Sequence, residues 1–196
     1  MNHYCWESAL DGRRVVLHED VVADLRMVAI EGFTALRRRG LEVGGIVFGD
    51  AEGEELRIEG FLEAPCEHRY GPSYSLSDND REKLTELLTM PRHGQPPVVG
   101  FYRSFTSREP VIEAGDEALV AEHFPRGDCV LLMLHPLSAE KCVATYRLFS
   151  DGKMLPAPEE PPFPFEPNRT PAMETVLQEP PPDPRPDPPP APVLVA

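Results

Sequence analysis

The chain has 196 residues, a formal net charge of −14 at neutral pH, 24 prolines and four cysteines. A chain of this length predicts one domain, or one domain with an appendage. The acidic balance repels phosphate backbones and anionic lipid, so it argues against nucleic acid and membrane surfaces as partners; its simplest consequence is solubility.

Proline divides the chain. Sixteen of the 24 prolines fall between Pro156 and Pro192, and seven acids against Arg169 and Arg185 give that stretch −5, leaving −9 for what precedes it. Residues 1–154 have ordinary apolar content, enough for one core, and are expected to form the domain. Residues 155–196 are expected to be a disordered, acidic, proline-rich tail. Segments such as EEPPFPFEP and EPPPDPRPDPPPAP should form neither helix nor sheet ladder, because proline lacks the amide donor and fixes φ; polyproline II in solvent is expected instead. The sequence has no apolar run of about 18 residues and no basic start followed by an apolar stretch, so neither a membrane span nor a secretory leader is expected. Cys5, Cys66, Cys129 and Cys142 form no C-x-x-C pair. Cys129 and Cys142 lie in apolar strand-like runs, where a thiol serves as a small hydrophobe, and a reducing cytoplasm fits best.

In chain order, a short lead precedes DVVADLRMVAIEGFTALRRRG, which reads as a helix. Asp20 is the expected N-cap, with Val21, Leu25, Val28, Ala29, Gly32 and Leu36 on one face. Arg37, Arg38 and Arg39 suit a helix C-terminus, and Gly40 suits its end. Two strands follow, Gly44 to Phe48 and Leu56 to Leu62, around the turn-like DAEGEE. EAPCEHRYGPSYSLS reads as extended or looped. Ser77 then caps a second helix, SDNDREKLTELLTM, whose inner face is Leu84, Leu87 and Leu88; Asp80 stands where a capping box would place Glu. VVGFYRS is a third strand. After the polar loop FTSREPVIEAG comes a short helix from about Gly115 to His123. CVLLMLH, almost wholly apolar, predicts a strand covered on both faces. KCVATYRLF is a further strand, ending in an Asp151-Gly152 turn. Helices alternating with strands give an α/β or α+β class with a sheet packed against helices.

Two passages carry a family resemblance. LEVGGIVFG places the acidic residue Glu42 before a glycine-containing strand, and VVGFYRSFTSREPVIEAGDEAL has a strand, a loop and a helix in succession. Together they resemble the MPN domain, the fold of the JAB or JAMM metalloproteases that cut ubiquitin-like isopeptide bonds. The closing passage LLMLHPLSAEKCVATYRLF resembles that family's last pair of strands, so the resemblance spans about residues 20–150. It implies an α/β, MPN-like (cytidine-deaminase-like) fold with a mixed β-sheet packed against helices. It also implies that Glu42 stands at the position of the general base. The family's metal motif reads His, any residue, His, seven residues, Ser, two residues, Asp. At that spacing its positions fall on Arg103, Phe105, Glu113 and Asp116.

A catalytic zinc needs three protein ligands and an open position for water. Of the motif's ligands only Asp116 is in place. Arg103 is a permanent cation and Phe105 has no lone pair to offer. Without zinc, nothing brings the pKa of a water beside Glu42 near neutrality. The expected state is a degenerate former site comprising Glu42, Arg103, Phe105, Glu113 and Asp116, with no catalytic residue, metal or cofactor. Arg103 has the charge to bridge Glu42 and Asp116 through paired hydrogen bonds, with Glu113 joining them. The competing expectation leaves Arg103 facing solvent.

Other constellations are weaker. Cys66 and His68 form C-x-H without partners at ligand spacing, and His3, His18, His93, His123 and His135 form no pair. Ser104 and Ser107 fall near the same cleft, but no G-x-S-x-G elbow or phosphate-binding glycine loop is present. The leading expectation is therefore a non-catalytic MPN-like module that binds protein partners or serves as a scaffold, another MPN-like domain among the partners the resemblance implies. Segments such as PPPDPRP in the tail suit aromatic-lined grooves, while a purely solvating tail is the plainer alternative. The second function hypothesis is a JAB/JAMM-type metallo(iso)peptidase with a rearranged or partner-completed metal site. The third is an unrelated α/β binding domain.

Overall fold

The computed structural model describes residues 3–7, 12–37, 39–90, 94–106, 111–156 and 162–167. Among the described residues, nine strands form a single mixed sheet: β1 (His3–Glu7), β2 (Arg14–His18), β3 (Gly44–Glu52), β4 (Glu55–Glu63), β5 (Val98–Ser104), β6 (Asp128–Pro136), β7 (Cys142–Ser150), β8 (Lys153–Met154) and β9 (Phe163–Pro164). Three helices pack on it: α1 (Glu19–Thr34), α2 (Asp78–Thr89) and α3 (Ala114–His123). The strand order is β1-β2-β4-β3-β5-β6-β7-β8, with β9 also pairing to β7. β2 runs parallel to β4 and β5 parallel to β6; the other pairs are antiparallel. Strand β5, helix α3 and strand β6 thus make a crossover unit, which a parallel pair requires.

The alternation of side chains across a strand sorts the core into two faces. Val130, Leu132 and Leu134 of β6 join Leu17, Leu25, Ala29 and Ile58 in the cluster that includes α1. Cys129, Leu131 and Met133 of the same strand join Phe101, Leu84 and Val120 in the cluster that includes α2 and α3. Both faces of β6 are therefore covered, as its continuous apolar run requires. The sheet curls so that Trp6 of β1 meets Tyr146 of β7, with ring centroids 5.1 Å apart.

Several expectations are corrected. The short lead contains β1 and β2. Their alternation is concealed because β2, RVVLH, buries three consecutive residues. The N-cap of α1 is His18, whose Nδ1 accepts from the Asp20 amide, and not Asp20 itself. The helix ends at Thr34, so Arg37 and Arg39 lie beyond it and Leu36 is exposed. Arg39 instead donates to Ser73 Oγ at 3.2 Å. Arg38 lies outside the described residues. The chain turns early because the Gly32 carbonyl accepts both the Ala35 and the Leu41 amides, folding the next segment back against the helix. A Cβ on Gly32 would lie 2.7 Å from the Leu41 oxygen, so glycine permits that close return.

The boundary at 154 also shifts. PPFPFEP was expected to form no ladder, yet Phe163 and Pro164 pair with Ala144 and Val143, and Phe165 is fully buried. Proline is tolerated because β9 is an edge strand, where a missing amide donor breaks no interior ladder. The rest of the expected tail, residues 157–161 and 168–196, lies outside the described residues.

β3 and β4 approach closely where glycine stands at 45. A Cβ there would fall 2.0 Å from the Leu62 carbonyl oxygen and 2.8 Å from the Tyr102 ring. Gly45→Ala is expected to cost about 1–3 kcal/mol in urea denaturation through overpacking, whereas Gly53→Ala in the open β3–β4 turn should act only through its positive φ, which is 61°.

Candidate functional site

Three chain segments meet at the end of β5. The first is the residue pair leading into β3, where the Glu42 amide donates to the Pro72 carbonyl at 2.8 Å. The second is the end of β5 itself. Ser104 donates its amide to the Val43 carbonyl at 2.7 Å and accepts the Val43 amide on Oγ at 2.9 Å. The third is the start of α3, where Glu113 is the N-cap and Asp116 lies in the first turn.

Arg103 sits between the acids and is only 3 % exposed. Its Nη1 donates to both Asp116 oxygens, at 2.7 and 2.9 Å, and its Nη2 donates to Glu42 Oε2 at 3.2 Å. Glu42 is equally buried and has neither oxygen free. Oε2 also accepts the Tyr74 amide at 3.1 Å, and Oε1 accepts the Thr106 amide and hydroxyl at 3.1 and 3.2 Å. The second oxygen of Asp116 accepts the Glu113 amide at 2.9 Å. The Arg103 guanidinium carbon lies 4.4 Å from the centroid of the buried Phe105 ring, within cation–π range. Burial alone would lower the Arg103 pKa, but Asp116, then Glu42 and Glu113, outweigh it and hold the pKa above its ordinary value. Its Nε finds no partner among the described residues.

The structure thus gathers all five residues of the expected site and buries Arg103 between two carboxylates. Glu113 takes part through its amide and its charge, at the rim. Tyr74 and Thr106 were not singled out in the sequence. Both act on Glu42 mainly through backbone amides, which any residue but proline would supply. Tyr74 is carried there by the loop between β4 and α2, which Asp80 ties down. The Asp80 carboxylate accepts from the amides of Ser77 and Glu67 and from the Ser77 hydroxyl, completing a capping box on α2. Burial works to raise the Asp80 pKa, but these hydrogen bonds hold it below the usual carboxylate range.

Whether these groups fit a zinc is decided by the donor set. The guanidinium fills the space between the carboxylates, and Phe105 turns a ring face toward that guanidinium. A dication placed there would meet a fixed positive charge and, at Glu42, oxygens already engaged. The residues do not fit a divalent metal. Among the described residues, no three His, Cys, Asp or Glu side chains are grouped to hold one elsewhere. Glu42 has no free oxygen with which to take a proton from water, and Ser104 is buried with its hydroxyl oxygen accepting an amide. Ser107 and His93 lie outside the described residues. Cys66 and His68 do meet, but only in a local turn where the His68 amide points at the sulfur.

Beside this network opens a cleft of about 210 Å³ lined by Tyr70, Tyr74, Ser75, Leu76, Arg81, Arg103, Glu113, Gly115, Asp116 and Leu119. Tyr70 is 68 % exposed on it. Arg103, Glu113 and Asp116 are the parts of the network that line it.

No protein-family model matches the chain, and no curated protein matches it. Solved structures do. The solution structure of protein DSY2949 from Desulfitobacterium hafniense has a TM-score of 0.50 and 17 % identity, covering 71 % of this chain and 86 % of that one. A solution structure of a Salinibacter ruber protein gives a TM-score of 0.40 and 15 % identity, covering 74 % of this chain and 94 % of that one. At such identity the likeness to the Desulfitobacterium protein is one of fold.

Removing the guanidinium would leave two buried carboxylates facing each other. Arg103→Ala is therefore expected to lose about 3–5 kcal/mol in chemical denaturation. The triple replacement Arg103→Met, Glu42→Gln, Asp116→Asn should recover a large part of that loss, because it removes the charges together. Burial pushes the thiols of Cys129 and Cys142 up to about 12. A thiol reagent at mildly alkaline pH should accordingly modify at most Cys5 and Cys66 in the native chain, and all four cysteines after unfolding.

Proposed function

We propose that residues 1–167 contain a non-catalytic MPN-like domain that holds protein partners in the cytoplasm, with the proline-rich residues beyond it as an accessory segment. The observation that supports this reading is the seat of Arg103 between Glu42 and Asp116. In the family that the sequence resembles, those two acids belong to a metal-activated hydrolytic site. Here a fixed cation binds the same carboxylates, and the acid at the general-base position spends all its hydrogen-bonding capacity on the fold. The site then serves as a brace, and the neighbouring surface is left to bind.

That surface has the required character. Tyr70, 68 % exposed, lines the cleft together with Arg103 and Asp116, which charge-assisted hydrogen bonds hold in place. Aromatic and apolar side chains on a rigid support are what protein interfaces concentrate. Another MPN-like domain is one partner class consistent with the resemblance. The four free cysteines suit a reducing compartment. No helix among the described residues is long and apolar enough to cross a membrane.

The test uses the full chain as bait beside a Tyr70→Asp variant, with a chain ending at Pro167 to separate domain from tail. Partners retained by the unmodified chain should be lost from the Tyr70→Asp variant. Zinc content after purification should stay far below one per chain, and isopeptide-linked conjugates should remain uncut when zinc is added. Stoichiometric zinc together with cleavage would replace this reading with the metallo(iso)peptidase.

A further inference from the structure

The polar groups of the cleft beside the Arg103 network are of two kinds. Its buried acceptors are engaged. Asp116 takes Arg103 Nη1 on both oxygens, and Oδ2 also takes the Glu113 amide. Its donors are not. Among the described residues, the Arg81 guanidinium and the hydroxyls of Tyr70 and Ser75 have no hydrogen-bond or ion-pair partner, and all three residues line the cleft. Arg103, on the wall of the same cleft and 3 % exposed, keeps its Nε without one. Glu113 is the other acid of the lining, and it is exposed, where solvent screens its charge.

The start of α3 adds further donors, because a helix leaves its first amides without acceptors of its own. The Asp116 and Glu117 amides turn to the Glu113 carbonyl, at 2.9 and 3.3 Å, which leaves those of Ala114 and Gly115. Gly115 lines the cleft, and a Cβ there would meet nothing within 4 Å, so the backbone lies open to a ligand. The dipole of this ten-residue helix favours negative charge at that end. Size sets a second limit. The cleft's 210 Å³ is below the roughly 300–1,000 Å³ of pockets that take drug-sized ligands, and it suits a side chain instead. Leu76 and Leu119, both partly buried, offer an apolar wall to its methylene groups.

We propose that the cleft is a carboxylate pocket that seats an aspartate or glutamate side chain of the partner protein, with Arg81 as its ion-pair partner and the Gly115 amide and the Ser75 and Tyr70 hydroxyls as further donors. This rests on the reading of the cleft as the partner site and adds the chemistry that the site selects. The chain's net charge of −14 opposes an acidic partner at long range. At physiological ionic strength that repulsion is screened beyond about 8 Å, whereas charge-assisted hydrogen bonds in the cleft act at contact.

The experiment titrates the isotope-labelled full chain with N-acetylglutamate α-amide and, separately, with N-acetylglutamine α-amide at matched ionic strength, reading backbone amide resonances. Saturable shifts of the Ala114 and Gly115 amides are expected with the carboxylate alone. Arg81→Gln should weaken that binding about tenfold or more, the effect of losing one charge-assisted hydrogen-bonded pair. Gly115→Val puts a side chain into open space in the cleft and should weaken binding while leaving the rest of the spectrum in place. The same response to the glutamine analogue, or no saturable response at these amides, overturns the proposal. A pull-down separates this inference from the reading beneath it. Partners released by both Arg81→Gln and Tyr70→Asp support both. Partners released by Tyr70→Asp but held by Arg81→Gln overturn the carboxylate pocket and leave that reading standing; partners held by both variants overturn the two together.

Discussion

A buried guanidinium has to be surrounded by acceptors, and the placement of Arg103 organises much of the domain. Taking its charge and those of two carboxylates out of water costs several kcal/mol per ion. Only close geometry with additional hydrogen bonds offsets that. Each acceptor comes from a different segment. Glu42 arrives because Gly32 lets the chain fold back over α1, and Asp116 arrives because the crossover between β5 and β6 starts a helix at the right height. Backbone amides from Tyr74, Thr106 and Glu113 complete the shell. The loop before α2, the end of β5 and the start of α3 are thereby fixed to one another through charge.

The same arrangement explains why two acids and one base can share a site without strain. One positive charge faces two negative ones, and the surplus is met by dipoles. Asp116 lies in the first turn of α3, where the helix favours a carboxylate, and Glu42 receives two main-chain amides. A metal site would distribute charge differently, since a dication needs open donors and at least one exchangeable position. Saturating Glu42 and placing Phe105 against the guanidinium removes both conditions. The hydrogen bonds that tie these three segments together are therefore the ones that leave no donor set for a dication.

The parts of this arrangement legible in the sequence were those with side-chain signatures. The apolar run of β6, the Ser77 cap with Asp80 and the spacing from Arg103 to Asp116 all lie in residue types and intervals. The hidden parts act through the backbone or through distant sequence. Thr106 and Tyr74 hold Glu42 with amides, which no composition reveals. The end of α1 at Thr34 depends on Leu41 returning to Gly32, a contact that outweighs three arginines well suited to extend a helix. β2 has no strand signature in the sequence because it buries three residues in succession and so loses its alternation.

PFPF departs from its local signature for a related reason. Its prolines do forbid a central strand, and that inference from local chemistry was sound. Local chemistry carries no sign that Tyr4 and Trp6, about 160 residues earlier, leave an aromatic gap at the edge of the sheet. At such an edge the ladder matters little and the rings matter greatly, so a segment with poor backbone pairing but two phenylalanines is well matched to its place. The domain's boundary follows from packing and not from composition: Phe165 has no exposed surface. A chain cut at the composition break would lose a core residue while keeping every residue of the Arg103 network. It would also lose the ring contacts of Tyr4 with Phe163 and Phe165 while keeping that of Trp6 with Tyr146.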